Sequence, residues 1–207
     1  MRVYVESNFV LEIVLEQEQH RACEELMLLA ETKSIELVLP AFCLVEPYQT
    51  IVRRNRERDG LRKDLNSLAR EFARTASIAA DAPRLREASE LLLRAEQEAK
   101  ERFLDLRSKL LDTARMVVLD GSALREASAL EAQLELELPD AIVLASVLAD
   151  AASRPAPSLF LNRNKNDFDD PDVKARLMGV DCALILSFDG GLGRVRSALN
   201  KVPVDPT

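Results

Sequence analysis

The sequence predicts an α/β fold: a three-layer sandwich with a mostly parallel five-stranded sheet flanked by helices and a long helical hairpin inserted into it. Three observations predict it. Short β-favouring runs alternate with segments of helical period, as in chains that lay helices on the faces of a parallel sheet. The runs are continuously apolar rather than alternating, as expected of strands covered on both faces. Residues 56–112 keep a helical period with no strand-like run and no glycine between Leu61 and Asp120. The 207 residues, 47% hydrophobic and 30% charged, suit one domain over 1–207 carrying the 56–112 hairpin, and exclude a disordered chain.

Each element follows from its residues. Arg2–Val5 is a first strand, and Ser7 or Asn8 caps the helix after it. Cys23, Leu26, Met27 and Ala30 mark a second helix from about His20 to Thr32, followed by the strand IELVLP, which Pro40 closes. Leu44, Val45, Tyr48 and Val52 fit a third helix with Glu46 in its first turns. Leu61, Leu65, Leu68 and Phe72 define one apolar stripe of the hairpin. Leu85, Ala88, Leu92, Ala95, Ala99, Leu106 and Leu110 define the other, with ADAP between the arms. RMVVLD then reads as a strand and SALREASALEAQLEL as a helix. LPDAIVLASVLADAAS reads as an apolar helix entered through Pro139. SLFLN is a strand, RNKNDFDDPD a polar loop, CALILSF the last strand, and Gly191 to Asn200 the last helix.

The net charge is −7, unevenly spread. Arg53 to Arg115 holds 16 basic and 12 acidic residues, and the remainder 12 basic and 23 acidic. If the chain touches nucleic acid, the middle segment is the handle for the backbone and the acidic remainder needs another explanation; charge counts alone favour two plain solvated surfaces. No apolar run is long enough to span a bilayer, and acids interrupt the apolar N-terminus, so a soluble, cytoplasmic protein is expected. Cys23, Cys43 and Cys182 form no CxxC pair and read as buried thiols. His20 is the only histidine and has no ligand-spaced neighbour, which disfavours histidine-based nucleophilic catalysis.

In an open parallel sheet, ligands bind beyond the carboxyl ends of the strands. Four acids fall there: Glu6 after the first strand, Glu46 after the second, Asp140 in the first turn of the apolar helix, and Asp167 after the fourth strand, with Asp169 close behind. Singly, each reads as a cap, a turn or plain surface. Together they converge on one edge, where like charges demand a cation. An all-oxygen set without His or Cys selects Mg²⁺ or Mn²⁺ over zinc. Such ions bind substrate phosphates and activate water, so the set points to phosphodiester hydrolysis.

The segments VYVESN, LPAFCLVEPYQTI, LELELPDAIVLASVL and LFLNRNKNDFDD resemble, in order and spacing, the motifs of PIN-domain nucleases over roughly residues 1–55 and 115–200. The resemblance implies a Mg²⁺- or Mn²⁺-dependent endonuclease acting on single-stranded RNA, with DNA as the alternative substrate. Glu6, Glu46, Asp140 and Asp167 are then its catalytic and metal-binding residues, and Asn8, Asn162 and Asp169 support them. It further implies a homodimer and, in toxin-type members, an antitoxin partner. The sequence departs from the family pattern in having Glu6 where Asp is usual, Asn162 in place of a hydroxyl residue, and a hairpin larger than is common.

Arg53 and Arg54 open the densest basic cluster, and Arg163 and Lys165 lie within the fourth motif; these four are the candidate nucleic-acid contacts. DGGLG at 189–193 lacks a P-loop lysine and reads as a tight turn. Aromatics are 4% of the chain, too few for extensive base stacking. Two other readings compete: a catalytically weak or inactive PIN fold that binds nucleic acid or protein, and a phosphotransfer domain, which the absence of paired aspartates after the first strand disfavours.

Overall fold

The computed structural model describes residues 1–200. Five strands, β1 (Arg2–Val5), β2 (Glu36–Pro40), β3 (Arg115–Val117), β4 (Ser158–Leu161) and β5 (Cys182–Ile185), form one all-parallel sheet in the order β3-β2-β1-β4-β5. Val3 pairs in register with Leu37 on one side and Leu159 on the other. β1 is central, and all four of its residues are buried. Nine α-helices join the strands: α1 (Ser7–Val14), α2 (His20–Glu31), α3 (Val45–Phe72), α4 (Ala82–Thr113), α5 (Gly121–Leu134), α6 (Leu138–Ser153), α7 (Lys165–Phe168), α8 (Pro171–Gly179) and α9 (Phe188–Leu199), counted among the described residues.

The chain divides into two compact units, residues 1–47 with those from 106 onward, and residues 48–105. In the first, α6 is apolar nearly all round and packs on α5, β2 and β3, which explains its uninterrupted hydrophobic sequence. On the other flank Phe9 meets Phe188 edge to face at 5.6 Å, and Phe160 meets Phe168 in the same way. All three cysteines are free and buried. The amino edge of the sheet is tied by an ionic network. Arg115 grips Asp150 through two nitrogens, at 2.7 and 2.5 Å, and donates to Glu36 at 2.7 Å. Arg2 and Arg154 also reach Glu36, and Tyr4 donates to Asp150 at 2.7 Å. Despite the cost of its burial, these guanidinium bonds pull Glu36 down to about 2.

The second unit is an antiparallel pair of helical arms, since Tyr48 stacks near Phe103 at 6.1 Å while Asn66 donates to Ser89 at 2.8 Å. On α4 the expected stripe turns inward: Ala99 is buried and Leu85 and Leu92 are half-buried. On α3 it does not. Leu61 and Leu68, read as seam residues, are 51% and 43% exposed, and the inward positions run Ile51, Asn55, Arg58, Arg62, Leu65, Ala69, Phe72 at alternating steps of four and three. A helix carrying two adjacent apolar stripes can turn either one inward. Here buried Ile51 and Ala69 set the phase, and three polar residues come with them.

Three further expectations are corrected. The third helix and the first hairpin arm are one helix, α3, preceded by a 3₁₀ turn at Ala41–Leu44. The polar loop after β4 contains the four-residue helix α7. The 189–193 glycines form no tight turn, because α9 begins at Phe188 and takes them into its first turns, with Ser187 capping Gly190.

Gly191 has a packing reason: a Cβ there would lie 2.5 Å from a methyl of fully buried Leu161. Gly191→Ala is therefore expected to lower stability by about 1–3 kcal/mol. Gly193→Ala, which meets nothing within 4 Å, should raise it by about 0.5–1 kcal/mol. Urea denaturation midpoints of the two variants should move in opposite directions; equal shifts would refute this account of the α9–β4 contact.

Candidate active site

The crevice at a reversal of strand order is where parallel sheets place ligands, and here β1 has β2 on one side and β4 on the other. Glu6 leaves the end of β1 and is only 5% exposed. Its Oε2 accepts the backbone N–H of Asn8 at 2.7 Å, capping α1, while its Oε1 is buried with no hydrogen-bond partner. Glu46 enters from the first turn of α3, and its Oε2 accepts the Ser7 hydroxyl at 2.5 Å. Asp140 sits in the first turn of α6, fixed by Pro139 in the preceding position. Asp167 rides on α7. The Nδ2 of Asn164 donates to Asp140 Oδ2 at 3.2 Å and also to Asp167, clasping the two together.

The electrostatics join these pairs. Burial, then the charge of Asp167, raises Asp140 to about 6, Asn164 opposing, and Glu46 adds to the rise. Burial raises Glu6 to about 8, the backbone amides of Asn8 and Arg163 opposing, and Glu46 again adds to the rise. Glu46 thus acts on both Glu6 and Asp140. Among the described residues none of the four acids has a Lys or Arg side chain as partner, and neutral donors hold them. Nor do three or more His, Cys, Asp or Glu side chains stand close enough among those residues to hold an ion as they are. The donor set nevertheless fits a hard divalent cation: it is all oxygen, it crowds like charges, and it leaves one buried carboxylate oxygen unsatisfied.

The supporting residues sort differently from expectation. Asn162 is 1% exposed, and its Oδ1 accepts the Asn164 N–H at 2.6 Å, shaping the loop under the clasp. Asn8 contributes its backbone amide to Glu6. Asp169 pairs with Lys174 on the surface. Arg163, read as a phosphate contact, spends its guanidinium on Glu12, 1% exposed, and on Glu18, because that buried acid must be neutralised. Arg53 and Arg54 belong to the other compact unit, where Arg53 pairs with Glu57. Ser7 and Asn164 were missed as site residues. The available signals were Ser7 beside the first acid, and Asn164 three positions before Asp167, which puts both on one side of a helical turn.

Fold and site together define an acidic-site α/β nuclease fold. The family model described as PIN domain matches residues 3–168, and the chain belongs to that family. PIN domains are generally nucleases and typically use divalent metals. No curated protein and no solved structure matches the chain. Among the described residues no helix is long and apolar enough to cross a membrane.

The crowding has a measurable consequence. A carboxyl group raised from 3.8 to about 6 on folding adds stability below about pH 4 and loses it as pH rises through 6. Asp140→Asn should therefore be more stable than the parent at pH 8 in EDTA, by about 1–2 kcal/mol once solvent screening of this partly exposed group is allowed for. The difference should vanish below pH 4. Urea unfolding across that range checks it, and a pH-independent difference would refute it.

Proposed function

We propose that the chain is a metal-dependent endonuclease that hydrolyses phosphodiester bonds of single-stranded RNA. The observation that carries this reading is the buried, unpartnered Oε1 of Glu6 within a set of four acids that no cation neutralises. Glu6, Glu46, Asp140 and Asp167 would hold Mg²⁺ or Mn²⁺. The bound ion supplies Lewis-acid polarisation of the phosphate and a water acidified toward neutral pH. The chain's own residues do the positioning. Ser7 orients Glu46, Asn164 fixes the spacing of Asp140 and Asp167, and Asn162 holds the loop that carries the clasp. In the reaction a water oxygen would bond to phosphorus and the bond to the 3′-oxygen would break, the water's proton passing through solvent to the 3′-oxygen, which leaves as a hydroxyl, with a 5′-phosphate on the other product. The proposal extends to the homodimer and the antitoxin partner that the family resemblance implies.

A second reading, a PIN fold that binds without cutting, is favoured by one observation. Glu6 turns one oxygen back onto Asn8, and no three ligating side chains are preassembled among the described residues. One assay separates the two readings: incubation of mixed single-stranded RNA and DNA with the full chain in Mg²⁺, Mn²⁺ or EDTA. The expected outcome is RNA cleavage in Mn²⁺ or Mg²⁺, none in EDTA, and loss to background in folded Asp140→Asn. Binding without cleavage in any metal establishes the second reading instead.

A further inference from the structure

The carboxyl edge of the sheet carries a second feature beside the acids. Past the ends of β4 and β5 lies a polar cleft of about 400 Å³, lined among others by Gln19, Asn164, Lys165, Asn166 and Ser187. It shares Asn164 with the clasp on Asp140 and Asp167, so it opens directly beside the acidic site.

We propose that this cleft binds the phosphate next to the one that is cut, an inference that rests on the nuclease reading above. Its lining offers uncommitted donors, the Lys165 ammonium and the Gln19 NH₂, beside the carboxamides of Asn164 and Asn166. The Oε1 of Gln19 accepts the backbone N–H groups of Phe188 and Asp189, at 2.6 and 3.2 Å, and the Ser187 hydroxyl at 3.2 Å. Only an oxygen can accept from two backbone amides, so the side chain's orientation is fixed. Its NH₂ remains, and among the described residues that group has no partner. The Ser187 hydroxyl is used in both senses, donating to Gln19 and accepting from Gly190.

Of the cations in this stretch, Arg163 is held by Glu12 and Glu18, and Lys174 by Asp169. Lys165 has no carboxylate partner among the described residues and sits on α7 two positions before Asp167. In a cleft whose one unpaired charge is an ammonium, with an amide NH₂ beside it, the favoured occupant is an anionic acceptor. A nucleic-acid strand supplies one: the four acids repel its backbone, and the adjoining phosphate is the group that needs a positive partner at that distance from the cut.

The test measures binding apart from cleavage. The full chain carrying Asp140→Asn is titrated against a fluorescently labelled single-stranded oligouridine RNA by anisotropy, over a series of salt concentrations. Adding Lys165→Ala should weaken binding several-fold and flatten the salt slope by about 0.7, the share of one phosphate on a single strand. Adding Gln19→Glu keeps an oxygen for the α9 amides and replaces the donor NH₂ by a second oxygen. It should leave thermal stability unchanged and weaken binding about tenfold, since one decade corresponds to 1.4 kcal/mol. Unchanged affinity and slope in both variants overturn the proposal, as does a parent that does not bind the RNA. Should Gln19→Glu unfold, the exposed Lys165→Ala variant decides alone. Cleavage of the same RNA by the wild-type chain in Mn²⁺ is measured separately: its absence, with the binding shifts present, condemns the nuclease reading and leaves the phosphate subsite standing.

Discussion

Four carboxylates gathered at one edge of a parallel sheet without a cation are the constraint on which the rest of this structure turns. A protein that needed only stability would pair them. The opposite edge shows this chain doing so, with Glu36 and Asp150 gripped by Arg2, Arg115 and Arg154. Both edges are acidic in sequence, and only one is neutralised in the fold. Cationic pairing at the amino edge anchors β3, a strand of three residues at the margin of the sheet, to β2 and α6. At the carboxyl edge the same chemistry is withheld, and burial, with like-charge repulsion added, raises Glu6 and Asp140 well above ordinary carboxyl values.

Holding like charges together without cancelling them takes neutral donors, and the site uses them consistently. The Ser7 hydroxyl holds Glu46, the Asn164 amide holds Asp140 and Asp167, and the Asn8 backbone holds Glu6. Each bond lowers the cost of an ionised oxygen without adding a charge that would compete with an incoming cation. Glu6 shows the geometric side of this. Its position directly after β1 makes it both the cap of α1 and the most buried acid of the set, with one oxygen on the Asn8 amide while the other stays unsatisfied.

What could be read from the sequence follows the range of the forces involved. The five strands were legible because apolar runs between helical segments report burial on both faces, which is local information. Asp140 was legible because Leu-Pro-Asp opening an apolar helix fixes a first turn. The clamps were not legible: Ser7 meets Glu46 across 39 positions and Asn164 meets Asp140 across 24, and nothing in either neighbourhood announces the partner. The α3 seam failed for a different reason. Leu61 and Leu68 form as good a stripe as the true one, and the choice between them is made by packing against α4, not by α3's own pattern. Arg163 was misjudged because Glu12, the acid that claims it, lies inside an apolar helix, where a carboxylate is least expected.

The fate of Arg163 bears on how an acidic chain can hold an anionic strand at all. With a net charge of −7, the chain as a whole repels a polyanion, so affinity at the acidic edge must come from charges left unpaired at the right place. Around β4 and the helices that follow it, several cations are taken by carboxylates: Arg163 by Glu12, Lys174 by Asp169, Arg196 by Glu25. Lys165 is left over, on the short helix that also carries Asp167. An ion held by the acids and a lone ammonium beside them would make two adjacent points of attraction in an otherwise repulsive surface. On the proposed reading, such an arrangement would accept a flexible strand more readily than a stiff duplex, whose second backbone would meet uncompensated acids.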